Sequence, residues 1–292
     1  MQPAKRQRTA SDVIVIGFSA VWVGLLIVPL AMMLGYSLFT TEGFKTNTTV
    51  STQTWATLFS TGRWIVVART FALAAIVTTI TLFVAFPFAF WLAKRCRSSR
   101  LRASILVALT IPFFLETTSR TIIWRAILGA DGVVNAGLEG LGLQAQTWLL
   151  YSAFSVQFGM VILFFPSMVF PIYISLNLID NAHIAAAEDL GARPGQVMWL
   201  IVLPLAFPGI LAGIIFTLVP AMAEFAVPQL LGGSNVNLLG NSINAALAAL
   251  KYPTAAALSA FVIAVLVVLG AVLLLFARRS QTLRGAFSEL RQ

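Results

Sequence analysis

The chain has 292 residues, of which 59% are hydrophobic and 10% charged, with a formal net charge of +9. So little polar surface could not cover a soluble core, and the composition indicates an all-α, polytopic membrane protein. The basic excess does not point to nucleic acid, because the lysines and arginines lie beside apolar runs, where membrane anchors lie.

In chain order, Lys5, Arg6 and Arg8 precede an apolar run over residues 13–38. That run is too long for a cleaved signal peptide and is expected to be kept as a first membrane span. Five further segments have the roughly 20 apolar residues that a span needs: 67–93, 104–128, 149–178, 205–228 and 254–276. An even number of spans puts both termini on one side. Lys94, Arg95, Arg97, Arg100 and Arg102 follow the second span, Arg193 follows the fourth, and Arg278, Arg279, Arg284 and Arg291 follow the sixth. The opposite loops hold only Lys45, Arg63 and Lys251, so the excess of positive charge predicts that both termini and the 180–204 loop are cytoplasmic. Cys96, the one cysteine, falls in the basic loop and is expected to be a reduced structural thiol.

The first external loop, residues 39–62, is rich in Thr, Ser and Asn and is expected to be a short ordered connection. The loops at 129–147 and 232–253 are Gly- and Asn-rich, nearly uncharged, and suited to face a soluble partner or the outside. Prolines recur within the spans at 87, 112, 166, 171, 208, 220 and 228, where they bend helices and free carbonyls. Gly209 and Gly213 form a G-x-x-x-G pair that permits close helix contact. No internal repeat is visible, which weighs against an inverted-repeat secondary transporter.

Charges within spans are costly and call for a reason. The third span holds Glu116, Arg120 and Arg125. Glu116 and Arg120 are four residues apart, glutamate first, the favourable order for an ion pair on a helix. Arg125 has no partner nearby in sequence. Glu224, near the outer end of the fifth span, is expected to face a cavity, with Phe225 beside it.

Between the fourth and fifth spans lies the more polar stretch from Asp180 to Pro204. Asp180 can cap a first short helix, the alanine-rich run favours it, and Gly191 supplies a left-handed end. Pro194 can open a second helix at its first position, and Pro204 is expected to break that helix.

Ala186, Ala187, Gly191, Ile201, Leu203 and Pro204 fall at the spacing of the EAA loop, so this stretch resembles the loop of ABC importer permeases of the binding-protein-dependent type I family. Ala185 stands where that family has its glutamate, with Glu188 and Asp189 the nearest carboxylates. A narrower likeness is to spermidine/putrescine permeases of the PotB type. It rests on Pro112, Arg120, Thr121, Trp124, Leu128, Gly132 and Asn135, on Pro204 through Gly213, and on the run from Glu224 to Gly233.

The resemblance implies a six-helix, MetI-like transmembrane domain. Residues 1–65 would hold the cytoplasmic N-terminus, first helix and external loop, residues 66–276 a five-helix permease core, and 277–292 a cytoplasmic tail. It implies a bacterial inner-membrane location and partners in a second, PotC-like permease, two ATPase subunits and an external or periplasmic solute-binding protein. Ala185, Ala186, Ala187, Glu188, Asp189, Gly191, Arg193, Ile201 and Pro204 would couple to the ATPase. Glu116, Arg120, Trp124, Glu224 and Phe225 would line the translocation pathway. A polyamine or related amine would suit Glu116, Glu224 and the aromatic faces, whereas Arg69, Arg120 and Arg125 would suit an anion equally well, so the residues leave the sign of the solute open.

No G-x-x-x-x-G-K-[ST] phosphate loop is present, so ATP and magnesium are expected in a separate ATPase, with no cofactor in this chain. With one histidine, His183, and one cysteine, neither a soft-ligand metal site nor a Ser/His/Asp triad is expected. The alternatives are an ion-driven secondary transporter using Glu116 and Glu224 as proton carriers, and a non-transporting scaffold.

Overall fold

The computed structural model describes residues 10–43, 45–62, 64–233 and 235–279. Five helices are long and apolar enough to cross a membrane, and the number is six if a helix pair bent by 102° is counted as one span. By packing, the described residues within 1–63 and 245–264 form one unit, and those within 64–244 and 265–292 a second.

In the first unit, α1 (Ala10–Tyr36) is followed by a hairpin of β1 (Thr40–Glu42) and β2 (Lys45–Asn47), paired antiparallel with Thr41 opposite Thr46. The short α2 (Gln53–Ser60) comes next. Thr54 Oγ1 donates to the Phe39 carbonyl at 2.6 Å and Ser51 N–H to Leu38 at 2.7 Å, which closes the 39–62 loop into the ordered connection expected of it.

The second unit opens with α3 (Trp64–Phe90), which ends in a π turn over Trp91–Arg95, and continues with α4 (Ser99–Thr110). Cys96 is buried between them, and its thiol donates to the Ser98 carbonyl. The third span is not one helix. After α4 and a 3-10 turn at Ile111–Phe114 the chain is extended at Leu115 and Glu116, and α5 (Thr117–Leu128) departs at a bend of 102°. Pro112 opens the 3-10 turn, and Glu116 adopts extended angles because its carboxylate caps the next helix, accepting from Ser119 N–H at 3.0 Å. Glu116 is therefore the cap of the helix that holds Arg120, and its carboxylate goes to the backbone N–H of Ser119 rather than to an ion pair on the helix face.

Beyond α5, α6 (Val133–Gly140) lies in the loop predicted to be external. The buried side chain of Asn135 holds that loop, donating to the Gly129 and Gln146 carbonyls and accepting from Gln146 N–H at 2.8 Å. A capping box of Ser152 and Ser155 starts α7 (Ala153–Leu178), which runs unbroken past Pro166 and Pro171. The short helices α8 (Asn181–Asp189) and α9 (Pro194–Val197) follow, then α10 (Leu203–Ala223). Pro204 does not break the chain as expected. A π turn over Met198–Val202, closed by Leu203 N–H to the Met198 carbonyl, widens the backbone just ahead of the proline, so helix continues from Pro194 to Ala223. The fifth span thus starts earlier than residue 205, and it ends at Ala223, before residue 228. The remaining helices are α11 (Ala226–Leu231), α12 (Leu239–Ala248) and α13 (Tyr252–Arg279).

The core of this unit is α7 packed on α10 and α3. The glycine pair makes the first contact possible, since a Cβ on Gly209 would lie 2.3 Å from Ser175 Cβ and 2.5 Å from the Pro171 carbonyl. Ala85, Ala89, Met168, Ile172, Leu176, Val202 and Ala206 fill one end of the bundle. Ala74, Val77, Val156, Met160, Met222 and Leu231 fill the other.

Candidate coupling loop and transport cleft

The 180–204 loop is built from local signals. Ile179 and Asp180 are extended, and the Asp180 carboxylate accepts from Ala182 N–H at 2.9 Å, which starts α8. The helix ends in a Schellman motif: Gly191 sits at φ +84°, Gly191 N–H reaches the Glu188 carbonyl at 2.9 Å, and Ala192 N–H reaches Ala187 at 3.0 Å. Pro194 opens α9, and the Gln196 side chain turns back to accept Arg193 N–H at 2.8 Å.

Ile184, Ala187 and Ala192 form the inner face of the loop against Ile179 and Val197. Ala185, Ala186, Glu188, Asp189, Gly191 and Arg193 are exposed, while Ile201 and Pro204 are half-buried where the π turn rejoins the core. Sequence reasoning missed two participants. Leu190, the residue before the left-handed glycine, is 90% exposed at the tip of the loop. Lys94, counted only as positive charge, donates from Nζ to the Ile179 carbonyl and to Asn181 Oδ1.

At the other end, Arg120, Thr121, Trp124, Gly159, Ile162, Leu163 and Leu231 line a cleft of about 30 Å³. That is space for about one water molecule. Arg120 Nε is buried and without a hydrogen-bond partner among the described residues, and Glu116 and Glu224 both lie close enough to attract its charge. The two glutamates serve matching roles. Glu116 caps α5, and Glu224 sits at the end of α10 with extended angles, its carboxylate accepting from Ala226 and Val227 N–H at 2.8 and 3.3 Å to start α11. The two half-helices α5 and α11 pack together.

Of the residues predicted for a pathway, Arg120 and Trp124 line the cleft. Glu116 and Glu224 border Arg120, and Phe225 is exposed. Arg125, unpartnered in sequence, donates to Tyr151 Oη at 2.8 Å. Tyr151 takes the left-handed conformation at φ +58°, held by its N–H on the Leu231 carbonyl and by Asn235 on its own carbonyl. An aromatic row continues from the cleft, with Trp124 edge-on to Phe158 at 5.1 Å, Phe158 stacked on Phe154, and Phe154 against Trp148. Among the described residues no three His, Cys, Asp or Glu side chains gather as a metal site would require.

Residues 85–282 match the family described as binding-protein-dependent transport system inner membrane component. The chain is similar to the spermidine/putrescine transport system permease protein PotB of Haemophilus influenzae, 33% identical over 220 residues, covering 75% of this chain and 76% of that one. It is also similar to the inner membrane ABC transporter permease protein YdcU of Escherichia coli K12, 31% identical over 246 residues, covering 80% and 75%. In fold it resembles a chain of the bacterial alginate ABC transporter crystallised with an alginate-bound periplasmic protein, with a TM-score of 0.62 at 18% identity and 91% of each chain covered.

Proposed function

Because the chain belongs to the binding-protein-dependent transport system inner membrane component family, and is thus a multi-pass inner-membrane permease subunit of an ABC importer, we propose that it forms half of a pathway for a polyamine or related amine. The observation that carries the solute class is the identity to spermidine/putrescine permeases over most of the chain. Both termini and the 180–204 loop lie on the cytoplasmic side, in keeping with the bias of Lys and Arg toward those loops. The chain pairs there with a related permease, two ATPase subunits that supply ATP and magnesium chemistry, and, across the membrane, a solute-binding protein.

The coupling surface is the exposed side of α8 and the turn after it: Ala185, Ala186, Glu188, Asp189, Leu190, Gly191 and Arg193. Ala187, Ile201 and Pro204 seat that surface on the core. With alanine at 185, the grip on the ATPase comes from the apolar Leu190 tip flanked by Glu188 and Asp189. The pathway passes Arg120, Trp124, Glu116, Glu224 and Phe225, where two carboxylates and aromatic faces meet a dication and Arg120 keeps the carboxylates from binding it too tightly to release.

Co-expression with the neighbouring ATPase, second permease and binding-protein genes tests this. The expected result is one co-purifying complex whose liposomes take up spermidine or putrescine only with ATP and the binding protein. Uptake by this chain alone, driven by an ion gradient, would overturn it. Glu224→Gln keeps an acceptor for the Ala226 N–H but removes the charge, so amine uptake should fall about tenfold with assembly intact, the effect of losing a roughly 1.4 kcal/mol charge interaction. Full uptake in that variant would remove Glu224 from the pathway.

A further inference from the structure

We infer that Lys94 is a positioning residue for ATPase coupling: its ammonium clamps the joint between α7 and α8 to the end of α3, so that the loop and the core helices move as one body.

The π turn at Trp91–Arg95 adds a residue to the last turn of α3, with Leu92, Ala93 and Cys96 buried around it. Lys94 is left half-buried, pointing across at the end of α7. One of its acceptors lies in the joint after α7 and the other at the start of α8. The Ile179 carbonyl belongs to the C-terminal end of the 26-residue α7, where carbonyls lack helical partners and partial negative charge gathers. Asn181 is the first residue of α8, and its Oδ1 accepts the second bond at 3.0 Å. Asp180, between them, adds a Coulombic attraction although its carboxylate is spent on capping α8.

The joint itself is two extended residues, Ile179 and Asp180, about which α8 could swing. The backbone of α8 lies against α9 and the π turn ahead of α10, and Ile184 and Ala187 rest on the buried core that α3 and α7 share. Lys94 supplies a polar tie from α8 to α3, and a compact ammonium with three donors can satisfy a carbonyl and an amide oxygen at once. A loop that swivelled freely would absorb the closing movement of a docked ATPase, whereas a clamped loop passes it to α3 and α7.

The inference rests on reading residues 180–204 as the ATPase-coupling loop. The test uses the whole complex in liposomes, with labelled spermidine as probe, and measures uptake per ATP hydrolysed. Lys94→Met, which keeps the stem and loses the donors, should lower that ratio about tenfold while the complex assembles in normal amount, and Lys94→Arg should restore most of it. A normal ratio in Lys94→Met, or equal loss in the Met and Arg variants, overturns the inference. Should Lys94→Met fail to assemble, Asn181→Ala decides: it alters one exposed acceptor, and the ratio should fall about threefold, non-additively with Lys94→Arg. An unchanged ratio there overturns the clamp. A Gly191→Val control separates the two readings. If that control uncouples and the Lys94 and Asn181 variants do not, only the clamp falls; if none of them alters coupling, the docking role of the loop falls and takes the clamp with it.

Discussion

Replacing Gly191 by valine should leave a membrane-inserted permease in an assembled complex whose ATP hydrolysis no longer drives uptake. Nothing lies within 4 Å of where a Cβ would stand, so the change causes no clash. Its effect is conformational: φ is +84°, and a β-branched residue there costs roughly 2 kcal/mol, enough to shift the population of the folded loop about 30-fold. The chain does tolerate Leu250 at φ +58° in a turn of the same kind, with Lys251 N–H on the Ala246 carbonyl. A valine, with two heavy atoms on its Cβ, is therefore the sharper test, and an alanine should be milder. Uptake and ATP hydrolysis measured on the same liposomes check the outcome. Preserved coupling would mean that the left-handed turn is not what the ATPase grips.

A larger loss of stability is expected from Gly209→Leu. The added Cβ would meet the Ser175 Cβ at 2.3 Å and the Pro171 carbonyl at 2.5 Å, both fixed parts of α7, so the two helices must separate. Overpacking of this kind costs about 3 kcal/mol or more, and the complex should melt roughly 5–10 °C lower or fail to assemble. Gly213→Ala is the contrast within the same pair, because the added Cβ would meet the flexible Met168 thioether at 2.8 Å and backbone only at 3.1 Å, the Met168 carbonyl. That variant should assemble with a smaller shift. Equal melting of both variants would show that the α7–α10 approach is looser than the glycines indicate.

The loop was legible in sequence because its signals act over a few residues. Asp180 caps, Gly191 turns left-handed and Pro194 opens a helix whatever surrounds them, and the structure has all three. The glycine pair at 209 and 213 was legible for the same reason, since spacing alone puts both on one helix face. The breaks in the third and fifth spans were not. The polar run from Glu116 to Arg120 interrupts the third span and Glu224 alone interrupts the fifth, but each break depends on a glutamate choosing backbone N–H donors over a cation, a competition that sequence spacing does not decide. Pro204 misled for a related reason: a proline ends a regular helix, but a π turn just before it gives the ring room, and nothing in the composition announces the extra residue. Lys94 was visible only as charge. That its ammonium lies on the end of α7 follows from how α3 and α7 pack, a contact spanning 85 residues of sequence.

The Schellman turn at Gly191 and the Asp180 cap are satisfied by bonds within the loop itself. A docking element finished in advance has little conformational entropy to surrender when its partner arrives. Ordering a free nine-residue segment would otherwise consume on the order of 1–2 kcal/mol per residue of the association energy. In the coupling role proposed for this loop, the contact with an ATPase can therefore be small and still persist through repeated cycles of opening and closing. In that proposed role, binding strength at this surface is set by shape, fixed before the encounter, more than by the number of charges on it.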